Sequence, residues 1–249
     1  MANKKPDAGE RGASRGKGPR IEEIPLNPAL EWTKSIAIAV VLFLVLRSFL
    51  VQTFVITSGS MEETLLVGDM LVVNRVAIGS RVPATNLRIP GYSKPRLLDV
   101  LVFDPPHEET IMLIKRLVGM PGDTLEMRNR TLYRNGQAVN EPYAIHSNVA
   151  DEAHPWMEWQ RDYVTSDVDR GVYSPTRDTW GPLVVPEVHY FMLGDNREQS
   201  LDSRYWGLLE GWRVEGRAMF TYFSYNKGSY RPFPWIREVR WGRVLDGIS

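Results

Sequence analysis

Two serines and one lysine carry the chemistry this sequence offers. Ser58 and Ser60 flank Gly59 in "SGSMEETLLVGD" (Ser58–Asp69), which directly follows an apolar stretch. A serine hydroxyl is a weak nucleophile and needs a base within hydrogen-bond reach. His107, His146, His154 and His189 are the four histidines, and none sits in a dense motif. A Ser-His-Asp triad stays open, because its members can be distant in sequence, but nothing in the spacing points to one. The stronger base is Lys115 in "TIMLIKRLVGMPGD". At period two, Ile111, Leu113, Lys115 and Leu117 share one strand face, and Met112, Ile114, Arg116 and Val118 the other. Both faces are apolar, so each cation is expected in a partly desolvated setting. Arg116 stays charged under any protein condition, whereas burial readily lowers a lysine pKa. A free lysine is neutral in about one molecule in 2,500 at pH 7, and lowering its pKa by about three units costs roughly 4 kcal/mol. Lys115 is thus a candidate general base. The plainer readings are an edge-strand lysine that snorkels into solvent and a polar Ser-Gly-Ser turn.

The elements that must hold these residues read as short strands. "GDMLVVNRVAI", "LDVLVFDPP", "TIMLIKRLVGMPGD", "TLEMRNRTLYRNGQAV", "VHYFMLGDN" and "RAMFTYFSYN" are apolar or alternating runs broken by Gly, Pro and Asn. Asn135-Gly136 is a hairpin signal. Eight Trp, ten Tyr and seventeen Pro agree with β structure rich in turns. Between about residues 141 and 186 the pattern loosens into a polar, Trp-bearing stretch, which we read as an insertion. At 249 residues the chain is long enough to bury a sizeable core.

Composition removes several function classes. The 30 basic and 30 acidic residues cancel, so the excess positive charge of a nucleic-acid binder is missing. With no cysteine, a disulfide framework, a thiolate zinc site and a cysteine nucleophile are excluded. The first twenty residues hold six Lys/Arg among Gly, Pro and Ser and read as a disordered tail. The uninterrupted apolar run Ile36–Leu46 has eleven residues. Carried on through Phe49–Val51 to Phe54–Ile56, it reaches the roughly 20 residues of a transmembrane helix. Arg47 near its middle costs on the order of 3 kcal/mol, reduced by snorkelling. Trp32 and Lys34 suit an interfacial anchor. A cleaved signal peptide is the rival, but Arg47 and bulky residues stand where a small-x-small site would be needed, which favours an uncleaved anchor. Arg15, Lys17, Arg20 and Lys34 precede the segment, and no Lys or Arg lies between Ser48 and Asn74. The positive-inside rule then leaves the N-terminus in the cytoplasm and the rest outside.

Three segments in order, "SGSMEETLLVGD", "KRLVGMPGD" (Lys115–Asp123) and "GDNREQSLDSRYWG" (Gly194–Gly207), together with the N-terminal anchor, closely resemble bacterial type I signal peptidases, or leader peptidases. The resemblance implies Ser60 as nucleophile and Lys115 as general base, with the Ser60 backbone N–H and the Ser58 hydroxyl holding the oxyanion. It implies that Ser200 hydrogen-bonds the lysine and that Asp202, Arg204, Asp195 and Arg197 brace the site. Phe54, Ile56, Met61, Leu65 and Ile114 become the walls that admit only small substrate side chains. One departure stands out: the family commonly has a proline three residues after the nucleophile, where this chain has Glu63, and loss of its fixed φ is expected to loosen the turn.

The expected fold is therefore mostly β: coiled antiparallel sheets with a β-rich insertion at about 141–186, preceded by one N-terminal transmembrane helix. The expected organisation is a disordered cytoplasmic tail at 1–31, an anchor at 32–52 and an extracytoplasmic catalytic domain at 53–249. The implied reaction is removal of signal peptides from secretory preproteins at the outer face of the bacterial cytoplasmic membrane, with membrane lipid as the other partner and no cofactor, metal or nucleic acid. A narrow-duty Ser-Lys maturation peptidase, for a pilin or a conjugation protein, is an alternative. A membrane-anchored binding module without catalysis is another, although Ser60 and Lys115 are both present.

Overall fold

The structure is a computed structural model that describes residues 28–49, 51–81, 88–108, 111–147 and 150–248. Most of the expected tail, residues 1–27, lies outside the described residues, as do the side chains of 44–49. The chain divides into two compact units at Leu42/Phe43. The first carries most of helix α1 (Pro28–Phe49). Its side chains from Glu31 to Phe43 are exposed, the apolar Ile36, Ile38 and Phe43 included. Among the described residues, no helix is long and apolar enough to cross a membrane.

The second unit holds all the β structure: β1 (Val51–Val55), β2 (Asp69–Asn74), β3 (Gly79–Arg81), β4 (Arg88–Pro90), β5 (Val100–Phe103), β6 (Leu113–Gly119), β7 (Thr124–Arg128), β8 (Thr131–Arg134), β9 (Gln137–Ala138), β10 (Trp180–Val184), β11 (His189–Leu193), β12 (Leu209–Glu210), β13 (Val214–Ser224) and β14 (Asp246–Gly247). Every pairing between these strands is antiparallel. The main sheet runs β1-β2-β13-β5-β6-β11-β12, with β14 on β13, and a second sheet runs β10-β7-β8-β9. Register shifts along β13 at Ala218/Phe220 and Thr221/Phe223, and at Val214/Gly216, mark the bulges that curl the main sheet.

The apolar residues of β6 are shared among three buried clusters. Leu117 packs with Leu101 and Phe103, Ile114 against Ile56, Met61 and Leu65, and Val118 with Trp180 and Phe191. A strand buried on both faces is what its unbroken apolar pattern requires.

Two expectations from sequence change here. The segment 32–52 is not one helix: α1 ends at Phe49, and Val51 and Gln52 open β1, which pairs with β2 from Val51↔Asn74 to Val55↔Met70. Gln52 and Thr53 break the apolar run, and its β-branched and aromatic residues gain more from a partner strand than from further helix. Within 141–186 the described residues form a 3-10 helix, Pro155–Asp162, and strand β10, which joins the second sheet through β7.

Candidate active site

Ser60 sits in the loop between β1 and β2. Ile56 N–H donates to Asp69 O (2.8 Å) and Gly68 N–H to Ile56 O (3.0 Å), closing the loop at its neck. Inside it, Glu62 N–H donates to Gly59 O and Leu65 N–H to Met61 O, at 3.0 and 2.7 Å, so Ser60 stands at a hydrogen-bonded turn. Lys115 comes from β6, held by Leu101 of β5 across the ladder. The two side chains meet: Lys115 Nζ lies 2.5 Å from Ser60 Oγ, with Ser60 at 6% and Lys115 at 3% exposure. Burial drives the lysine pKa down to about 8, against the pull of the Asp202 and Asp195 carboxylates in the other direction, while Arg204 adds to the lowering. The exposed Ser58 places its Oγ 3.4 Å from Ser60 Oγ.

The "GDNREQSLDSRYWG" residues surround this pair from β11 onward. Asn196 N–H donates to the carbonyl of Ser60 (3.1 Å). Gly194 packs so tightly that a Cβ there would lie 2.5 Å from that carbonyl. Arg204 forks on Asp202, Nε to Oδ1 and Nη2 to Oδ2, each at 2.8 Å, and both side chains are fully enclosed. Burial pushes the Asp202 carboxyl up, but Arg204 and the Gly194 N–H hold it below its ordinary value. Arg204 also donates to Arg197 O (2.6 Å), and Arg197 donates to Gly194 O (3.0 Å), so the loop is tied to itself. Ser200 is buried beside Gly194, and its hydroxyl acts on the Asp202 carboxylate. The structure does not join it to Lys115.

Asp195 faces the other way. Arg116, the cation next to Lys115, forks on it (2.9 and 2.8 Å), and Thr64 Oγ1 donates to Asp195 Oδ2 (2.6 Å). The Ser60 loop is thereby fastened to the strand that carries Lys115. Sequence reasoning missed Thr64, and it missed Tyr143 and Glu141 as well. The Tyr143 ring lies 3.9 Å from the Arg116 guanidinium, and Glu141 pairs with Arg197 at 2.6 Å. Ile145 bridges to Asn196, bringing this segment onto the catalytic loop. The only sequence signal was the apolar setting of Arg116, which implied a buried partner.

The five expected substrate contacts come together in one place. Ile56, Met61 and Leu65 are buried in a single cluster, and Phe54 and Ile114 pack against it. Glu63 departs from expectation. Its φ of 80 is left-handed, which proline cannot adopt, so the turn has a different shape from one built on proline rather than a looser version of it.

With this geometry in hand, comparison with known proteins is decisive. The family model described as "Signal peptidase, peptidase S26" matches residues 29–223. The chain belongs to this family. A signal peptidase I of Pseudomonas aeruginosa is 35% identical over 223 residues, 82% of this chain and 76% of that protein. One of Bacillus licheniformis is 35% identical over 202 residues, covering 81% of this chain and 92% of the relative. A Pseudomonas fluorescens relative bearing the same name is 34% identical over 88% of this chain and 81% of its own length. The matched region of the signal peptidase family takes in Ser60, Lys115 and the whole Gly194–Gly207 segment.

Proposed function

We propose that Ser60 and Lys115 form the catalytic dyad of a membrane-anchored endopeptidase. Membership of the family makes the chain a peptidase that removes signal peptides from secretory preproteins. The observation that carries the dyad reading is the contact of Lys115 Nζ with Ser60 Oγ at 2.5 Å inside a desolvated site.

The steps follow from these residues. Neutral Lys115 takes the Ser60 proton as Oγ attacks the scissile carbonyl. The Ser60 N–H and the Ser58 hydroxyl stabilise the oxyanion, a contribution of order 3 kcal/mol per donor in comparable sites. Lys115 then hands its proton to the leaving amine and, neutral again, activates the water that hydrolyses the acyl-enzyme. Asp195, Arg197, Asp202 and Arg204 hold the frame in which Lys115 stays buried, and the orienting role of Ser200 rests on the family resemblance alone. No metal or cofactor is called for.

The substrate binds as an added strand. β1 stands at the end of the main sheet, and Leu113–Lys115 pair with β5 while β11 pairs only from Arg116 onward. A chain laid between these edges presents alternate residues to the Ile56–Ile114 cluster.

The anchor is the apolar part of α1, which ends at Phe49, N-terminus inside, with the tail before it in the cytoplasm and the chain from β1 onward, including the insertion, on the outer side. The exposed apolar side chains of α1 and the basic residues before it support this. Exposed Tyr230, Phe233, Trp235 and Trp241 would meet the lipid surface. The deciding experiment incubates purified protein with a preprotein bearing a small-x-small site. Cleavage there that Ser60→Ala abolishes is expected, and cleavage that persists in Ser60→Ala rejects the dyad. Protease added outside spheroplasts is expected to digest residues 60–249, and protection would reverse the topology.

A further inference from the structure

The nucleophile loop is fastened at a second point by a segment that lies outside all three motifs. Asp69, at the loop's end, is fully buried. Its Oδ2 accepts Leu66 N–H (2.8 Å) and its Oδ1 the Ser224 hydroxyl (2.6 Å). Arg243, from the 3-10 turn Trp241–Arg243 near the end of the described chain, lays Nε and Nη2 on the same carboxylate, at 3.1 and 2.7 Å from Oδ2. Its Nη2 also donates to the carbonyl of Thr64 (2.7 Å). Arg240 reaches the next part of the loop, Nη1 donating to Val67 O (3.0 Å) and lying 3.8 Å from Asp69 Oδ1. Both arginines lie beyond residue 223, where the family match ends.

Thr64 is thus held from two sides. Arg243 takes its carbonyl, while its hydroxyl donates to Asp195 and accepts from Arg116 at 2.6 and 3.0 Å. Arg116 follows Lys115 directly in β6. Four residues before Thr64 stands Ser60, and the turn between them is rigid through the Leu65 N–H bond to Met61 O. The C-terminal segment is itself tied down: Arg240 N–H donates to Ser224 O (2.9 Å), and Leu245 N–H to Thr221 O (2.7 Å). One end of this chain of contacts is the dyad's base and the other is Arg243.

We infer that Arg243, assisted by Arg240, is a positioning residue for Ser60: from the C-terminal segment it sets where the nucleophile loop stands against Lys115. Neither arginine lies on β1 or at the start of β6, where the proposed substrate strand binds, so its removal is expected to move Ser60 without altering that site. Displacement of a reacting group by about 1 Å costs about 100-fold in rate. This inference rests on the dyad reading.

The test uses the full chain and a preprotein substrate. Arg243→Ala is expected to lower kcat about 100-fold with KM within about twofold of wild type and a cooperative unfolding transition retained. Added methylguanidinium is expected to restore part of kcat. Arg243→Lys, which keeps the charge but cannot fork, is expected to fall about tenfold. A folded Arg243→Ala with kcat within about twofold of wild type overturns the proposal, as does a loss that tracks the unfolded fraction. If Arg243→Ala does not fold, the folded Arg243→Lys decides by the same split, and failure of both to fold assigns the arginine to stability alone and also overturns the proposal. An inactive wild type would reject the peptidase reading instead, which keeps the two failures apart.

Discussion

Gly194 and Ser60 are in backbone contact: a Cβ on Gly194 would fall 2.5 Å from the Ser60 carbonyl oxygen and would collide with Ser200 Oγ. The first of these atoms belongs to the backbone and cannot swing aside. Any side chain at 194 therefore pushes the nucleophile away from Lys115 or pushes β11 away from β6. Gly194→Ala is expected to lower kcat/KM about 100-fold, by displacement of Ser60 on the scale of 1 Å. Steady-state rates together with circular dichroism check this, and a folded, fully active variant contradicts it.

The dyad prediction turns on proton affinity. Ser60→Ala and Lys115→Ala should each remove several orders of magnitude of activity, and the double variant little more, because the two residues act as one unit. Lys115→Arg should be nearly as inactive, since arginine keeps its proton. Substantial turnover by that variant would end the lysine-base mechanism.

The same lysine fixes two pH dependences. In the proposed mechanism activity needs neutral Lys115, so kcat/KM should climb about tenfold per pH unit below the folded pKa of about 8 and level off above it. For stability, the folded pKa of about 8 lies below the 10.5 of a free lysine side chain. Between those values the unfolded chain binds more protons, so stability rises with pH across that window, and the cost of burying the charged form is fully present below it. The gain is about 3 kcal/mol in order of magnitude. Lys115→Met should therefore be inactive yet more stable than wild type at pH 7, with a flatter stability profile from pH 8 to 10.5. Urea unfolding at several pH values reads this out.

How far the sequence could be read divides along physical lines. Lys115 and its setting were legible because β6 is apolar on both faces, a pattern local to seven residues. The five residues of the Ile56 cluster were named through family resemblance, and the structure packs them together. The Arg116–Asp195 pair spans 79 residues and the Arg197–Glu141 pair 56, and no periodicity records which charge meets which across such distances. Thr64 looked like any loop threonine until Asp195 and Arg243 were seen on its two sides. β1 was folded into the expected helix because a short apolar run suits either state and only its partner strand decides. β10 hid in the loose stretch because Gly181, at a φ of 83, and Pro182 interrupt its alternation.

Glu63 offers a test that separates this chain from the family pattern. At a φ of 80 an L side chain is strained by about 1–2 kcal/mol, a strain that glycine does not feel. Glu63→Gly should stabilise the protein by about 1 kcal/mol or leave it unchanged, with activity kept. Glu63→Pro, which restores the family's residue, should destabilise by more than that and reduce activity, because proline cannot reach a positive φ. Chemical denaturation of both variants checks the order, and a stabilised Glu63→Pro would show that the turn can take the other shape.

In the proposed reading, specificity comes from the walls beside the dyad. A substrate bound along the edge of β1 points the residues one and three before the cut to the same side. There the buried Ile56, Met61 and Leu65 and the neighbouring Phe54 and Ile114 leave little room. Such walls reject valine or leucine by overlap and contribute little that alanine needs, so trimming them relaxes rejection more than it weakens alanine binding. Ile56→Ala with Ile114→Ala should therefore cleave preproteins carrying larger residues at those two positions, while cleavage after alanine falls by a smaller factor. Part of the loss will be stability, since truncating a buried isoleucine to alanine costs about 2–5 kcal/mol, so rates must be corrected for folded fraction. The measurement is kcat/KM on paired substrates with alanine or valine before the cut, which cancels that correction. An unchanged alanine-to-valine ratio in the double variant would move the specificity walls away from this cluster.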